Sequence, residues 1–209
     1  MKILNAYCCL GGNRAKWGNE HDITAIEIIP EIAMVYQDFY PDDKVIITDA
    51  HEYILKNFQE YDFIWSSPPC PKNSRMRRVL TEIGQVKPSY PSLILYEEAI
   101  LLKHFFKGLY CIENVISYYE PLIKPRRVGR HYLWANFNIP DFKTEGVHIQ
   151  GNVTFYKKKI GIDLTKYKLK HRKDTLYRNY MNPQLGKHIL DCAMGIYNFK
   201  KDVKQLELI

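Results

Sequence analysis

Short apolar runs alternate with amphipathic stretches along much of the chain. Five of the runs have the length and composition of buried strands and cover residues 3–7, 23–28, 45–48, 63–66 and 109–113. Helical spacing of apolar positions predicts helices between them, at residues 30–39, 51–57 and 92–106. Because strands that alternate with helices form parallel sheets, we expect an α/β fold with a doubly wound, mostly parallel sheet.

The pattern is less regular outside these elements. Residues 71–92 are basic and show no clear periodicity, so we expect a long loop that is either functional or disordered. After the fifth strand, the sequence predicts a basic turn at residues 124–130 and an aromatic strand at residues 131–137. A last amphipathic helix is predicted over residues 183–196, with Asn182 as its N-cap.

Length and composition fit one domain. The chain has 209 residues, 46% of them hydrophobic, which is enough for one full core and a small appendage. Nothing resembles a signal peptide, and no apolar stretch approaches the ~18 residues that cross a bilayer, so we expect a soluble cytoplasmic protein. The five cysteines are an odd number without a Cys-x-x-Cys pair, which favours reduced thiols over disulfides or a zinc site.

The formal net charge of +7 is concentrated in one segment. Residues 157–173 contain eight Lys or Arg side chains and one acid, Asp163, so they account for the whole excess. Interleaved aromatic residues fit a polyanionic partner whose phosphates the lysines neutralise. A solvated lysine-rich face is the alternative, and the sequence favours neither.

Two adjacent glycines and two acids follow the first three predicted strands. Gly11 and Gly12 lie in the first turn, where they let the backbone approach a ligand closely and open a helix. Glu27 ends the second strand, where a carboxylate can accept from both hydroxyls of a ribose. Asp49 ends the third strand, where it can accept from an adenine amino group. Each acid alone fits an ordinary loop, but their regular placement favours a nucleotide-like ligand.

A cysteine among prolines follows the fourth predicted strand. Pro68, Pro69 and Pro71 flank Cys70 and restrict its backbone, as suits a nucleophile that must be aimed. Glu113 ends the fifth strand. Ligands of open α/β sheets bind at the edge where parallel strands end, so we expect this thiol and carboxyl to lie together there. An inert buried cysteine is the alternative interpretation.

A thiolate and a protonated carboxyl around one cytosine could support its methylation. The Cys70 thiolate would add to C6 while protonated Glu113 bonds to N3 and N4. C5 would then be nucleophilic enough to take a methyl group from a sulfonium, and loss of the C5 proton would expel the cysteine. Such chemistry requires a base that is flipped out of the stack.

These motifs resemble those of the DNA cytosine-5 methyltransferases, in particular the small members expected in phages or mobile elements. Residues 66–74 are similar to the family's Pro-Pro-Cys motif, and residues 113–115, Glu-Asn-Val, to its second catalytic motif. Residues 7–12 resemble its glycine-rich turn, and residues 182–183 its C-terminal motif. The resemblance implies a class I S-adenosylmethionine-dependent methyltransferase with a Rossmann-like fold and a reduced target-recognition region, which acts on double-stranded DNA and uses no metal.

The resemblance also implies roles for individual residues. Cys70 would be the nucleophile, Glu113 the partner of N3, Asn114 a loop-orienting residue and Arg130 an arginine near the base. The residues expected to hold S-adenosylmethionine and its product S-adenosylhomocysteine are Tyr7, which would pack on the adenine, Leu10, Gly11, Gly12, Glu27, Asp49, Ala50, Pro68 and Asn182. The expected nucleic-acid contacts are Lys72, Ser74, Arg75, Arg77, Arg78, Lys157, Lys158 and Lys159.

Three departures from the family's pattern leave alternatives open. Asn5 stands where the family usually has aspartate, Cys9 replaces its first glycine, and residues 138–181 are too few for a full target-recognition domain. They motivate a catalytically degenerate nucleic-acid-binding protein of the same fold as one alternative. Because one branch of the family modifies transfer RNA, an RNA substrate is another.

The same resemblance predicts three parts of the chain. Residues 1–137 would form the catalytic domain that binds the methyl donor, and residues 138–177 a basic region that contacts nucleic acid. Residues 178–209 would return to the catalytic domain. Such a small region has little surface for reading bases. Recognition of a DNA sequence would therefore be minimal or would come from a protein partner.

Overall fold

A seven-stranded sheet forms the centre of the described part of the protein. The computed structural model describes residues 1–143 and 152–196. Within these residues, the strand order is β3-β2-β1-β4-β5-β7-β6; β1 to β5 are parallel, and β7 is antiparallel to both β5 and β6. The strands are β1 (Lys2–Ala6), β2 (Asp22–Glu27), β3 (Lys44–Ile47), β4 (Phe63–Ser66), β5 (Leu109–Val115), β6 (Arg126–Val128) and β7 (His131–Ala135).

Helices cover both faces of this sheet. They are α1 (Pro30–Phe39), α2 (Ala50–Asn57), α3 (Arg75–Glu82), α4 (Ile94–Phe105), α5 (Val153–Ile160), α6 (Lys173–Asn179) and α7 (Pro183–Ala193). Neighbouring strand residues point to opposite faces. Leu4 of β1 therefore packs in a core with α2 and α4, and Ile3 packs in a core with α7. The predicted doubly wound, mostly parallel α/β sheet is confirmed.

The first crossover connection differs from the prediction. The glycine turn was expected to open a helix, but Arg14–Lys16 form only a short 3-10 turn before β2. Helix α7 packs there instead: the Trp17 indole donates to the Gly186 carbonyl at 3.1 Å, and a side chain at Gly186 would collide with the backbone of Asn13. The residues between β1 and β2 are too few and too polar for a covering helix, so the last helix shields that face.

Segments expected to be irregular contain regular structure. The region at residues 71–92 includes α3, which begins where Ser74 accepts a hydrogen bond from the backbone N–H of Arg77 at 3.2 Å. The predicted basic turn at residues 124–130 contains strand β6. Helices α5 and α6 occur in the basic region and pack on the outer face of α1, where the rings of Tyr156 and Tyr177 stack at 5.9 Å.

The other boundaries lie close to those predicted. Helix α1 begins and ends as expected, as does β4, and the remaining predicted strands and helices shift by a few residues at most. Among residues 1–143 and 152–196, no helix has both the length and the apolar character that crossing a membrane would require.

Candidate active site

The carboxyl ends of β4 and β5 bring the predicted nucleophile and carboxyl to one edge of the sheet. β4 and β5 are parallel neighbours, so the loop with Cys70 leaves the edge beside Glu113. β7 runs in the opposite direction, with His131 paired to Val115, so Arg130 also lies at this edge. The structure thus places together three side chains that are 60 residues apart at most in sequence.

Electrostatic interactions couple these three side chains. Burial raises the pKa of the partly buried Cys70 thiol to about 11, and the nearby Glu113 carboxylate raises it as well. Arg130 acts in the opposite direction, because its positive charge favours the thiolate. The resting thiol is therefore mostly protonated near neutral pH, and any loss of negative charge on Glu113 makes it more acidic.

Asn114 joins the loop that carries Cys70 to the end of β5. Its side chain is buried, its amide nitrogen donates to the Pro68 carbonyl at 2.9 Å, and its amide oxygen accepts from the Val115 backbone N–H at 3.0 Å. The Cys70 carbonyl in turn accepts from Ser74 N–H at 3.1 Å, which turns the chain into α3. The end of β5 thus fixes the loop that carries the thiol, and Pro68 takes part through its backbone.

Two side chains that the sequence did not single out hold Glu113. Its Oε1 lies 2.6 Å from His131 Nδ1, and its Oε2 accepts from the Ser67 hydroxyl at 3.1 Å. The Ser67 oxygen also accepts from the Trp65 indole at 2.8 Å. The side chains of Glu113 and His131 are 14% and 10% exposed, so this carboxyl has a fixed orientation. The position of His131 directly after Arg130 was the sequence signal that could have identified it.

Glu27 organises the glycine-rich turn. One of its oxygens accepts from the Cys9 backbone N–H at 3.2 Å, and the other accepts from the Ile29 N–H at 3.0 Å. Burial raises the pKa of this carboxyl. A carboxylate has about four lone-pair positions, so Glu27 keeps acceptor capacity for ligand hydroxyls after these two bonds.

Close packing explains the two glycines of the turn. Gly11 has φ +68°, and a side chain there would collide with the rings of Tyr36 and Tyr40. A side chain at Gly12 would lie 2.5 Å from the Met181 carbonyl oxygen, just before α7. The side chain of Leu10 is buried in the core between α1 and α6, so only its backbone faces outward.

Tyr7 is anchored by a buried acid that the sequence analysis missed. Its hydroxyl donates to Glu98 Oε1 at 2.7 Å, and Glu98, which is 1% exposed, also accepts from the Ser66 hydroxyl at 2.5 Å. His51 Nδ1 lies 3.1 Å from the same carboxylate, which raises the pKa of His51. Burial and Glu98 raise the pKa of Tyr7, so its phenol stays neutral. A polar residue in the mostly apolar α4 was the only sequence sign of Glu98.

The remaining predicted cofactor residues lie at helix starts. Asp49 is exposed at the end of β3 and accepts from the Glu52 N–H at 3.0 Å, as the N-cap of α2. Ala50 is buried at the first position of that helix. Asn182 caps α7 as predicted, accepting from the Gln184 N–H at 2.8 Å.

A buried polar network accounts for Asn5. Its amide accepts from Asn13 at 2.8 Å and donates to the Tyr36 hydroxyl at 3.3 Å. Tyr36 donates to Asp43, which also forms a buried ion pair with Arg14 at 2.9 Å. Because this network uses both the donor and the acceptor of an amide, asparagine fits the position as it stands.

The predicted nucleic-acid contacts separate into two groups. Lys72, Arg75 and Arg78 are exposed on or before α3, beside the Cys70 loop. Ser74 caps that helix, and Arg77 donates to the Lys87 carbonyl at 2.9 Å, so it holds the chain after α3.

A groove of about 460 Å³ runs beside α3. Its walls are α3, residues 117–120 and Tyr132. Arg75 crosses toward the facing wall, where its Nε donates to the Ser117 carbonyl at 3.4 Å. The groove therefore adjoins the segments that leave β4 and β5.

The lysines of α5 lie elsewhere. Three exposed lysines lie on α5: Lys157, Lys158 and Lys159. This helix lies outside α1, and α1 in turn packs on β2 and β3. Lys157 also forms an ion pair with Asp163 at 2.6 Å. The structure does not bring these lysines together with Cys70, which follows β4 in the other half of the sheet.

No metal centre is found in the described ranges. Within residues 1–143 and 152–196, no three His, Cys, Asp or Glu side chains are grouped so that they could hold a metal ion. The described cysteines are all free thiols.

Comparisons with known proteins identify similar structures but no sequence family. No protein-family sequence model matches the chain, and no curated protein matches it. Among similar solved structures, a DNMT2 mutant from Spodoptera frugiperda is 25% identical with a TM-score of 0.37, over 55% of this chain and 35% of that one. This chain therefore spans about a third of that protein.

Two further structures align over more of this chain. The putative methyltransferase yhhF from Escherichia coli is 13% identical with a TM-score of 0.40, over 64% of this chain and 73% of that one. The Entamoeba histolytica methyltransferase EhMeth is 12% identical with a TM-score of 0.41, over 73% of this chain and 61% of that one. All of these TM-scores are below 0.5, so the function of this chain has to be inferred from its own site.

Proposed function

We propose that this protein is a class I methyltransferase that transfers a methyl group from S-adenosylmethionine to C5 of cytosine in DNA. The observation that supports this proposal most is the grouping of Cys70, Glu113 and Arg130 at one sheet edge. The bond from Asn114 to the Pro68 carbonyl holds the cysteine loop against the strand that carries the acid. A nucleophile and a proton donor in fixed relation are what addition to a cytosine ring requires.

The residues of the glycine-rich turn fit a nucleoside sulfonium. Glu27 has remaining acceptor capacity for ribose hydroxyls, the exposed Asp49 can accept from a base amino group, and Tyr7 offers an anchored ring. Gly11 and Gly12 keep the backbone of the turn close to α1 and to residue 181, which leaves its outer side open. When bound there, the methyl donor would supply an electrophilic methyl group.

The chain's own groups would act on the cytosine in turn. The Cys70 thiolate would form a bond to C6 while the Glu113 proton moves to N3, which receives the displaced electron pair. Arg130 would favour the thiolate form, as its effect on the Cys70 pKa indicates. After methyl transfer, the C5 proton would pass to a water molecule, and the electron pair of the C5–H bond would form the C5=C6 double bond and expel the Cys70 thiolate. N3 would then return its proton to Glu113. The exposed basic residues at the start of α3 would contact the phosphates next to a flipped base.

Methyl transfer to nucleic acid tests this proposal. We expect tritium from labelled S-adenosylmethionine to enter DNA, and we expect Cys70→Ser and Glu113→Gln to abolish the transfer. The buried Cys192, on α7 away from the edge, provides a matched control: Cys192→Ser should keep the activity. Absence of transfer to single-stranded and double-stranded DNA alike would contradict the proposal.

Two further measurements separate the alternatives. Greater transfer to tRNA than to DNA would identify RNA as the substrate class. Calorimetry with S-adenosylhomocysteine tests the cofactor site directly, and no binding at millimolar concentration would favour a non-catalytic nucleic-acid-binding protein. Bisulfite sequencing of DNA from cells that express the protein would read the target sequence.

A further inference from the structure

We propose that His131 is a proton-holding and positioning residue for Glu113, and that it replaces the proton that Glu113 gives to the cytosine ring. The inference rests on the proposed function, because it concerns the carboxyl that would protonate N3. It assigns a role to a histidine that neither the sequence motifs nor the resemblance singled out.

The geometry leaves little freedom to the Glu113 carboxyl. His131 Nδ1 lies 2.6 Å from Oε1, which is short even for a charge-assisted hydrogen bond from nitrogen to oxygen. On the other side, the Trp65 indole donates to Ser67 and Ser67 donates to Oε2, so a chain of bonds fixes the plane of the carboxyl. Oε1 is thereby occupied by the imidazole, and Oε2 is the oxygen left to meet a substrate.

The surrounding charges give this pair a second effect. The titratable and polar groups around Glu113 come from three parts of the sheet. They are His131 at the start of β7 and Arg130 just before β7, Ser67 and Cys70 after β4, and the buried thiol of Cys111 in β5. A carboxylate with a neutral imidazole carries one negative charge, which opposes formation of the Cys70 thiolate. A first added proton makes the pair neutral, and a second, which leaves Glu113 as a carboxylic acid and His131 as an imidazolium, makes it positive, so the opposition is removed.

The proton transfer can be balanced atom by atom. As the thiolate forms its bond to C6, the Glu113 Oε2–H bond breaks and its proton bonds to N3. The carboxylate then takes the proton from the His131 imidazolium at Oε1, which leaves a neutral imidazole. When the cysteine is expelled, N3 returns its proton to Oε2, and the Oε1 proton returns to Nδ1. The C5 proton, which leaves as the cysteine is expelled, passes to a water molecule.

Replacement of His131 separates this role from simple support. Asparagine can place an amide nitrogen near the Nδ1 position, so His131→Asn keeps a hydrogen-bond donor but has no proton to give. We expect an unchanged KM and unchanged S-adenosylhomocysteine binding, with kcat lowered about 100-fold, as for loss of general acid–base help. The wild-type kcat should fall as the pH rises and the pair loses protons, and the variant should lack this fall. The exposed His104 on α4 is the matched control, as His104→Asn should leave kcat unchanged.

A second readout does not require methyl transfer. Alkylation of Cys70 by iodoacetamide should increase less steeply with pH in the wild type than in His131→Asn, since the protonated pair favours the thiolate. Glu113→Gln should remove the difference. Wild-type kcat and wild-type pH dependence in His131→Asn would overturn the inference, and so would identical alkylation profiles. If no variant transfers methyl groups but the alkylation profiles differ as expected, the proposed function fails and the His131–Glu113 coupling stands.

Discussion

Cys9 adopts a backbone conformation that favours glycine. Its φ is +47°, and Tyr7 two residues earlier has a φ of +57°. Left-handed conformations cost roughly 1–2 kcal/mol for residues with a side chain. The bond from Cys9 N–H to Glu27 and the anchoring of Tyr7 on Glu98 hold both residues in place. The backbone of this chain would therefore favour glycine at position 9.

Replacing Cys9 with glycine should stabilise the protein. We expect Cys9→Gly to raise the free energy of unfolding by about 0.5–1 kcal/mol, because relief of the strain exceeds the added chain entropy of the unfolded state. Thermal or urea unfolding measures this change. Cys8→Gly is the control. Cys8 is buried and has no positive φ, so the Cys8→Gly protein should have a lower free energy of unfolding than the wild type. A Cys9→Gly protein less stable than wild type would contradict the interpretation.

The reactivity of Cys70 should depend on pH in a defined direction. Since the pKa of its thiol is raised to about 11, the thiolate fraction and the alkylation rate should keep rising as the pH approaches that value. Glu113→Gln removes a negative charge and should speed alkylation at pH 8, whereas Arg130→Gln should slow it. Mass spectrometry of the Cys70 peptide measures each rate, and equal rates in the three proteins would show that these charges do not act on the thiol.

The sequence predicted which candidate residues lie together better than it predicted their supports. Cys70 follows β4, and Glu113 and Asn114 lie near the end of β5, so the topology was enough to bring these residues of short local motifs together. Ser67 and His131 reach Glu113 from different strands, and Glu98 reaches Tyr7 across 91 positions of sequence. Side-chain partners at such separations depend on the packed structure, so a local pattern can point to such a residue but cannot give its partner.

At the scale of elements, the helix starts carry clear signals. Asn182 and Pro183 gave the correct start of α7, and Pro30 gave that of α1. Helix α3 was missed although Met76, Val79, Leu80 and Ile83 have helical spacing, because the segment is rich in arginines and is interrupted by one glycine and several prolines. Met76, Val79 and Ile83 are exposed, so the helix lacks the buried face by which sequence patterns are usually recognised.

The role of Asn182 as a cap can be tested separately from any contact with a cofactor. Asn182→Ala should lower the free energy of unfolding by about 1 kcal/mol, because two backbone N–H groups at the start of α7 lose their acceptor. Asn182→Asp should keep the stability, since aspartate caps equally well. Chemical unfolding measures both changes, with Asn152→Ala as a comparison at the cap of α5. Unchanged stability in Asn182→Ala would contradict this role.

For the whole molecule, the sequence was enough to predict the sheet, but it predicted only some of the helices that cover the sheet. Each parallel strand is a short apolar run, and the right alternation of strands and helices follows from local sequence. The absence of a helix between β1 and β2, and its replacement by α7, depends on contacts such as that of Trp17 with Gly186 across 169 positions. Packing at this distance follows from the shape of the folded core.

The fit of α7 against the first turn should tolerate no added volume. In Gly186→Ala the new methyl group would meet the Asn13 backbone, and we expect a loss of about 1–3 kcal/mol, as in other overpacked cores. The exposed Gln184 on the same helix is the control, because Gln184→Ala should change stability little. Differential scanning calorimetry compares the two variants, and equal melting temperatures would show that α7 can shift without penalty.

The position of α7 also has a consequence for biosynthesis. The ribosome releases the chain from its amino terminus, so all seven strands emerge before residues 183–193 do. Until then α7 does not cover the aromatic surface of Trp17, Phe63 and Trp65. The turn at Gly12 also does not yet pack against the backbone of Met181. A nascent chain would therefore expose an apolar sheet face beside an incomplete glycine turn. Chaperones would bind this apolar face until α7 is synthesised and packs on it.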